Sequence, residues 1–439
     1  MDLKSKVFSR RIGCMRTGCT IIQSSWEELS IKSRYCLIFS SSIYFLMEEG
    51  ENFMSKKLGK SVRLMLLMLV GGALSVNTVG AADKQEYKLH KMYNYEYGLT
   101  GYFDMNGKVV IEPKYSTGFN FSEGVAAVCD ETRHCEFIDE QGNVVIERKY
   151  YIAVDPDEMG FYEGLALVSL AYHRNSEKRV LPNEKAFIDH NGEIRFMAPY
   201  DAVGNFSEGL SVVAKYAGGG KYNYGAIDKE GNVAIPLQYR RMNAFKEGLA
   251  LFQDSKGFYG YVDKTGKVVI PAKYRRAHDF SEGLAKVKIN DKFGFIDKTG
   301  KVVIQPEYLE SSTNGDFHEG LAVVDKFLRY DSKLNMGFVD TYVIDKKGKI
   351  VINVTKKFPQ YDGVSDFHEG WAYIQIDNTI GNFIDKNGNL MFKKHRKRIS
   401  EFDRGLALIQ LSYDSKTRIA KYAHIDKTGK QVFVFDRQE

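Results

Sequence analysis

The chain has 439 residues, of which 44% are hydrophobic, 27% charged and 13% aromatic, a composition that excludes an intrinsically disordered chain. With Gly 40 and Pro 8 it is neither collagen-like nor a proline-rich linker. The net charge of +6 is concentrated at the N-terminus: residues 1–82 hold 11 of the 62 Lys and Arg and 6 of the 56 Asp and Glu, leaving 51 against 50, so the bulk balance offers no basic surface for nucleic acid.

In chain order, the first element is an export signal over 54–82. Lys56, Lys57, Lys60 and Arg63 form a basic start, and Leu64 to Leu74 an apolar stretch. Val79-Gly80-Ala81 offers the small residues a signal peptidase needs, with cleavage expected after Ala81 or Ala82. The apolar run is too short for a membrane span of ~20 residues. Residues 1–53 carry Cys14, Cys19 and Cys36 and do not match the later pattern. We expect them to be a non-native extension ahead of a true start at Met54. N-terminal sequencing of the native protein tests this, and a mature peptide from residues 1–46 would refute it. A short lead-in over 83–96 precedes a repeat domain over 97–439.

Two motifs recur along that domain. Phe-x-Glu-Gly turns begin at Phe121, Phe161, Phe206, Phe245, Phe280, Phe317 and Phe367, with Phe402-Asp403-Arg404-Gly405 as a variant. Ile-Asp-x-x-Gly or close relatives recur at Asp104, Asp139, Asp189, Asp228, Asp263, Asp297, Asp345, Asp385 and Asp426. The core unit is about 35 residues, repeated about nine times with insertions. In the cleanest copy, Leu284–Ile289, Phe293–Asp297 and Lys301–Ile304 alternate as strands. Asp-x-x-Gly fits a type I turn whose last residue needs positive φ, and the Asp side chain can accept a turn amide. Pro306, before Tyr308, is expected to stop the third strand. The fold class is thus all-β, a tandem repeat of three-stranded antiparallel meanders. Neighbours must stack, as an open twisted array or a propeller-like ring. The first unit, over 97–115, reads as partial, which favours the open array.

These Phe-x-Glu-Gly turns, Gly-Phe-Ile-Asp-Lys-x-Gly-Lys hairpins and Pro-x-Tyr ends resemble the WG-repeat family of bacterial proteins, over about residues 97–436. The name-giving Trp is replaced by Tyr224, Tyr259 and Phe293, each followed by Gly, and by Cys135 in an early copy. The resemblance implies a β-repeat fold and no general activity.

Catalytic constellations are lacking: there is no His-Glu-x-x-His, Gly-x-Ser-x-Gly, P-loop or CxxC pair. His318 and His368 occupy a slot that varies between copies and read as turn positions. Asp104, Asp189 and Asp385 open loops with calcium-like spacing but without the later acidic ligand. Cys129 and Cys135 flank a hairpin loop and, in an oxidising compartment, are expected to pair as a disulfide. No cofactor or metal is expected. Lys264, Lys298, Lys346, Lys386 and Lys427 follow the hairpin Asp and read as a solvated edge that discourages strand pairing, the alternative being a basic edge that attracts anionic envelope polymers. Four copies are lengthened at the connection between first and second strand, so the insertions share one rim. They carry Tyr172, His173, Arg174, Tyr216, Tyr222, Phe327, Arg329, Tyr330, Tyr413 and Lys416, side chains suited to protein or sugar recognition. The sequence therefore describes an exported, non-catalytic scaffold, periplasmic or at the cell surface. Its partner is expected to be a protein or polymer of the envelope and not a nucleic acid, with no membrane span in the mature chain. The alternatives are an envelope glycan hydrolase, which needs paired carboxylates in a cleft, and a purely structural spacer.

Overall fold

A computed structural model of the chain describes residues 89–438 apart from 95–96, 152–158, 172–183, 311–314, 332–335, 377–379 and 398–399. The expected signal over 54–82 and the extension over 1–53 lie outside the described residues. Strand and turn dominate, and the α-helix Val354–Lys357 is a single turn. No helix among the described residues is long and apolar enough to cross a membrane.

Nine units follow one another among the described residues. In the sixth, the strands are Leu284–Ile289, Lys292–Asp297 and Val302–Tyr308. The first two pair from Leu284 opposite Asp297 to Ile289 opposite Lys292. Second and third pair from Ile296 opposite Val302 to Phe293 opposite Tyr308, with register shifts on the way. Two expectations need correction. The third strand does not stop at Pro306 but runs through it to Tyr308. It is an edge strand and is bulged, so the missing N–H breaks no continuous ladder. The unit also has a fourth, short strand. Thr117–Gly118, Arg241–Met242, Gly363–Val364 and Arg396–Lys397 each pair with the first strand of their own unit. In the sixth unit this lead strand shrinks to one bridge, Ala277 opposite Val287. Two residues are too few for alternation to reveal.

The first unit is not partial: Leu89–Asn94, within the lead-in, pairs along its length with Leu99–Asp104. Most hairpin glycines sit on the third strand of the preceding unit. A Cβ on Gly142 would meet Ile111, on Gly192 Ile146, on Gly266 Ile235, on Gly300 Ile270 and on Gly348 Ile304. The series continues past the chain ends, because a Cβ on Gly107 in the first unit would fall onto the carbonyl oxygen of Val432 in the last. Phe103 stacks on Phe433 at 4.5 Å between ring centres. The units therefore come round on themselves. They form no closed barrel, since no strand ladder joins first and last sheets; side chains make the closure. This selects the ring over the open array.

Alternation explains why the units stack. Along Leu284–Ile289, Leu284 packs with Phe293, Phe295, Ile304 and Phe317 toward the seventh unit. Ala285 and Val287 pack with Leu251, Tyr261 and Ile270 of the fifth. Each apolar cluster thus lies between units, and eight such clusters fill the joints from first to ninth unit. The turn Phe is the recurring wedge. Phe280 lies 4.8 Å from Tyr261, Phe317 4.9 Å from Phe295 and Phe206 4.9 Å from Phe187, always against a ring on the second strand of the preceding unit. Burying such a ring contributes about 1.5–3 kcal/mol.

Candidate binding surfaces

The Phe-x-Glu-Gly motif folds as a two-residue hairpin turn between lead and first strand. Ser281 and Leu284 exchange both backbone hydrogen bonds, and φ is +53° at Glu282 and +85° at Gly283. Both central residues of this turn type need positive φ. Glycine adopts it freely, whereas glutamate is strained there. Contacts with the next unit offset the strain. The Glu282 carboxylate accepts from the Gly320 amide at 2.8 Å and pairs with Lys346 at 3.1 Å. The arrangement repeats with Glu163, Gly209 and Lys229; with Glu247, Gly283 and Lys298; with Glu319, Gly370 and Lys386; and with Glu369, Gly405 and Lys427. Burial would raise the Glu282 and Glu319 carboxyls, but their lysine and amide partners outweigh it and hold both below the usual range.

Lys298, Lys346, Lys386 and Lys427 are therefore inter-unit clamps, and Lys264 reaches Glu208 at 3.9 Å in the same way. This corrects their reading as a solvated edge. The turn Glu recurs in units two to eight and the hairpin Lys in units four to nine, but the pairing joins consecutive units across some 50–70 residues, which is why neither motif alone discloses it. The hairpin Asp carboxylates are also committed. Asp297 Oδ1 accepts the Thr299 and Lys301 amides at 2.9 and 3.1 Å, and hydrogen bonds from Thr299 hold its carboxyl below the usual range. The loops with calcium-like spacing do the same: Asp104 and Asp385 each accept two amides of their own turn. Among the described residues no cluster of His, Cys, Asp and Glu is arranged to hold a metal.

His318 and His368 lie in consecutive turns with rings 5.0 Å apart. Burial, followed by the His368 charge, lowers the pKa of His318. Beside them Lys286 is buried at a position that is apolar in other units. Asp366 is pushed up to about 6, first by burial and then by Asp316. This polar seam joins units six, seven and eight.

The seam between ninth and first units holds a cleft of about 480 Å³, walled by His424, Phe433 and Phe435 and edged by Lys91 and Asp436. Burial and the neighbouring His90 push His424 down to about 4, so it is neutral at physiological pH. The clamp is absent here. Arg404 stands in the Glu position and donates to the Phe121 carbonyl at 3.3 Å, while Met105 replaces the lysine and lies against Gly405.

Three of the four insertions are prolonged hairpins, and the fourth, between Gly164 and Gly192, falls mostly outside the described residues. Leu210–Gly218 pairs with Lys221–Ile227, Leu321–Asp331 with Met336–Asp345, and Leu406–Asp414 with Ile419–Asp426. All three extend their sheets at the end opposite the Glu turns. Tyr216 is 53% exposed and lies 5.3 Å from the Tyr222 ring. Phe327 is 43% and Tyr413 46% exposed, and Arg329 stacks on Phe338 at 4.7 Å. Tyr330 pairs through its backbone with Gly337, and Lys416 caps the Asp414 turn. These residues are brought to one end but stand on units four, seven and nine. Tyr172, His173 and Arg174 lie outside the described residues. Cys129 and Cys135 face each other across their hairpin and are joined by a disulfide.

No curated protein matches the chain. Among solved structures it is similar to a eukaryotic initiation factor at 11% identity and a TM-score of 0.50, covering 80% of this chain and 97% of that one. It also matches the computationally designed Ika8 protein at 10% identity and a TM-score of 0.37, over 73% and 94%. A third match is BamB from Moraxella catarrhalis at 8% identity and 0.33, over 79% and 89%. The first likeness concerns fold alone. The WG containing repeat matches residues 101–131, 137–171, 186–222, 224–256, 259–293, 293–326 and 343–379. With more than half its length so matched and the same joint recurring between units, the chain belongs to the WG-containing repeat family.

Proposed function

We propose that this chain is an exported, non-catalytic repeat scaffold that captures a protein or polymer at the bacterial cell envelope. The observation that carries the proposal is the set of prolonged hairpins at one end of the ring. Rigid strands hold Tyr216, Phe327 and Tyr413 exposed beyond the sheets. Exposed aromatic groups on a rigid frame lose little conformational entropy on binding. The signal pattern over 54–82 supports export, and the Cys129–Cys135 pairing suits an oxidising compartment.

Crosslinking in intact cells, followed by mass spectrometry, tests this reading. The full chain should yield one dominant crosslinked partner in the envelope fraction. A variant shortened at 328–338, which keeps the inner rungs from Leu321 to Phe327, should lose it while retaining its circular dichroism spectrum. Recovery of the chain in the cytoplasm, or unchanged capture by the shortened form, would defeat the proposal.

A further inference from the structure

We infer that the boundary grooves of units four, five and six form a basic track for a linear polyanion, a flexible chain bearing phosphate or carboxylate groups at intervals. The inference rests on the scaffold reading above and names one partner class for it. A cleft of about 160 Å³ between units four and five is lined by Lys221 and Arg240. One of about 510 Å³ between units five and six is lined by Lys273, Arg275 and Lys288. Among the lining residues, the one acid is Asp291, 3.6 Å from Lys288. Five cations thus face one carboxylate.

The sequence builds this track twice. Tyr239-Arg240-Arg241 and Tyr274-Arg275-Arg276 both end a third strand. The buried tyrosines fix where each strand leaves its sheet, so the arginines emerge at equivalent places one unit apart. Nearby acids are engaged elsewhere: Asp254 accepts the Lys256 and Phe258 amides, and Glu310 pairs with Arg276. The lysines at the other end of the ring are held by glutamates. Guanidinium groups match phosphate and carboxylate geometry. Two clefts in consecutive joints call for a chain that spans both, not a single small anion. Of the lining aromatic groups, Tyr274 is buried and Tyr222 and Phe258 are half-buried, a poor platform for stacking bases.

The test measures fluorescence anisotropy of labelled alginate oligomers, labelled inorganic polyphosphate and a labelled single-stranded oligodeoxynucleotide with the full chain. Arg240→Glu and Arg275→Glu should each weaken polyanion binding about tenfold at low salt and flatten its salt dependence. Lys347→Glu, an exposed change on the hairpin of the seventh unit that lines neither cleft, should leave it within about twofold. Tighter binding of alginate assigns carboxylate and of polyphosphate assigns phosphate; either supports the track. Equal binding by parent and both reversals, or an equal loss with Lys347→Glu, overturns it. So does a preference for the oligodeoxynucleotide. The chain shortened at 328–338 keeps these arginines, so loss of hairpin capture with intact polyanion binding counts against the scaffold reading alone.

Discussion

The joint between units five and six and the joint between units nine and one hold similar sheets together by different means. The first has an apolar core around Phe280, Tyr261 and Ile270, and a clamp in which Glu247 binds the Gly283 amide and Lys298. The second keeps the glycine contact of Gly107 on Val432 but exchanges the core for Phe103, Phe433 and two histidines, and the clamp for Arg404 and Met105. A ring of identical joints could close in several registers or add a second chain. One chemically distinct joint specifies which ends meet, at some cost in strength.

The largest expected effect breaks a regular joint. Phe280→Ala removes a ring that is 2% exposed and should lower stability by about 3–5 kcal/mol. Phe433→Ala removes a half-buried ring from the seam and should cost less than half as much; urea denaturation of both variants compares them, and equal losses would erase the distinction.

Acid should next single out the seam. His424 titrates near 4 in the fold against 6.5 when exposed, so its stabilising contribution is complete above pH 6.5 and is lost as pH falls toward 4. The loss reaches about 3 kcal/mol. Asp366, raised to about 6 from 3.8, acts in the opposite sense, favouring the fold as it takes up a proton between those values. Thermal melts from pH 7 to 4 should fall less steeply for His424→Phe than for the parent. Glu282 and Glu319 are depressed below 4.5, so their contribution persists above that value and goes only at lower pH.

Smaller effects probe the clamp. Glu282→Ala strands the Gly320 amide while leaving a Cβ at the same positive φ, and should cost about 1–2 kcal/mol. Lys346→Met removes only a half-exposed ion pair and should cost at most about 0.5–1 kcal/mol, less in high salt. In the seam, Met105→Lys should gain nothing alone, and coupling should emerge only when combined with Arg404→Glu, as a double-mutant cycle on thermal stability would show.

Much of the fold was legible in sequence because its signals are local. The alternation of Leu284–Ile289 and the Asp297 turn closed by Gly300 act within a few residues of themselves. Gly294 was visible as a recurrent glycine, but its reason was not: a Cβ there would stand 2.6 Å from the Ile304 carbonyl oxygen on the neighbouring strand. The two-residue lead strands left no periodicity to read. Of the candidate site, the shared rim of Tyr216, Phe327 and Tyr413 followed from loop lengths. The Arg240 and Arg275 track did not, because its cations become neighbours only when units pack.

The size of the unit, the order of its three main strands and which side chains alternate inward are readable in the chain, since hydrogen bonding and turn preferences are satisfied within about 35 residues. Packing between units settles the rest: the units close into a ring, Glu282 accepts an unfavourable φ for the sake of Gly320 and Lys346, and Arg404 and Met105 mark the seam. Those choices depend on contacts between units, where a locally disfavoured residue is retained because its partner lies on the neighbouring sheet.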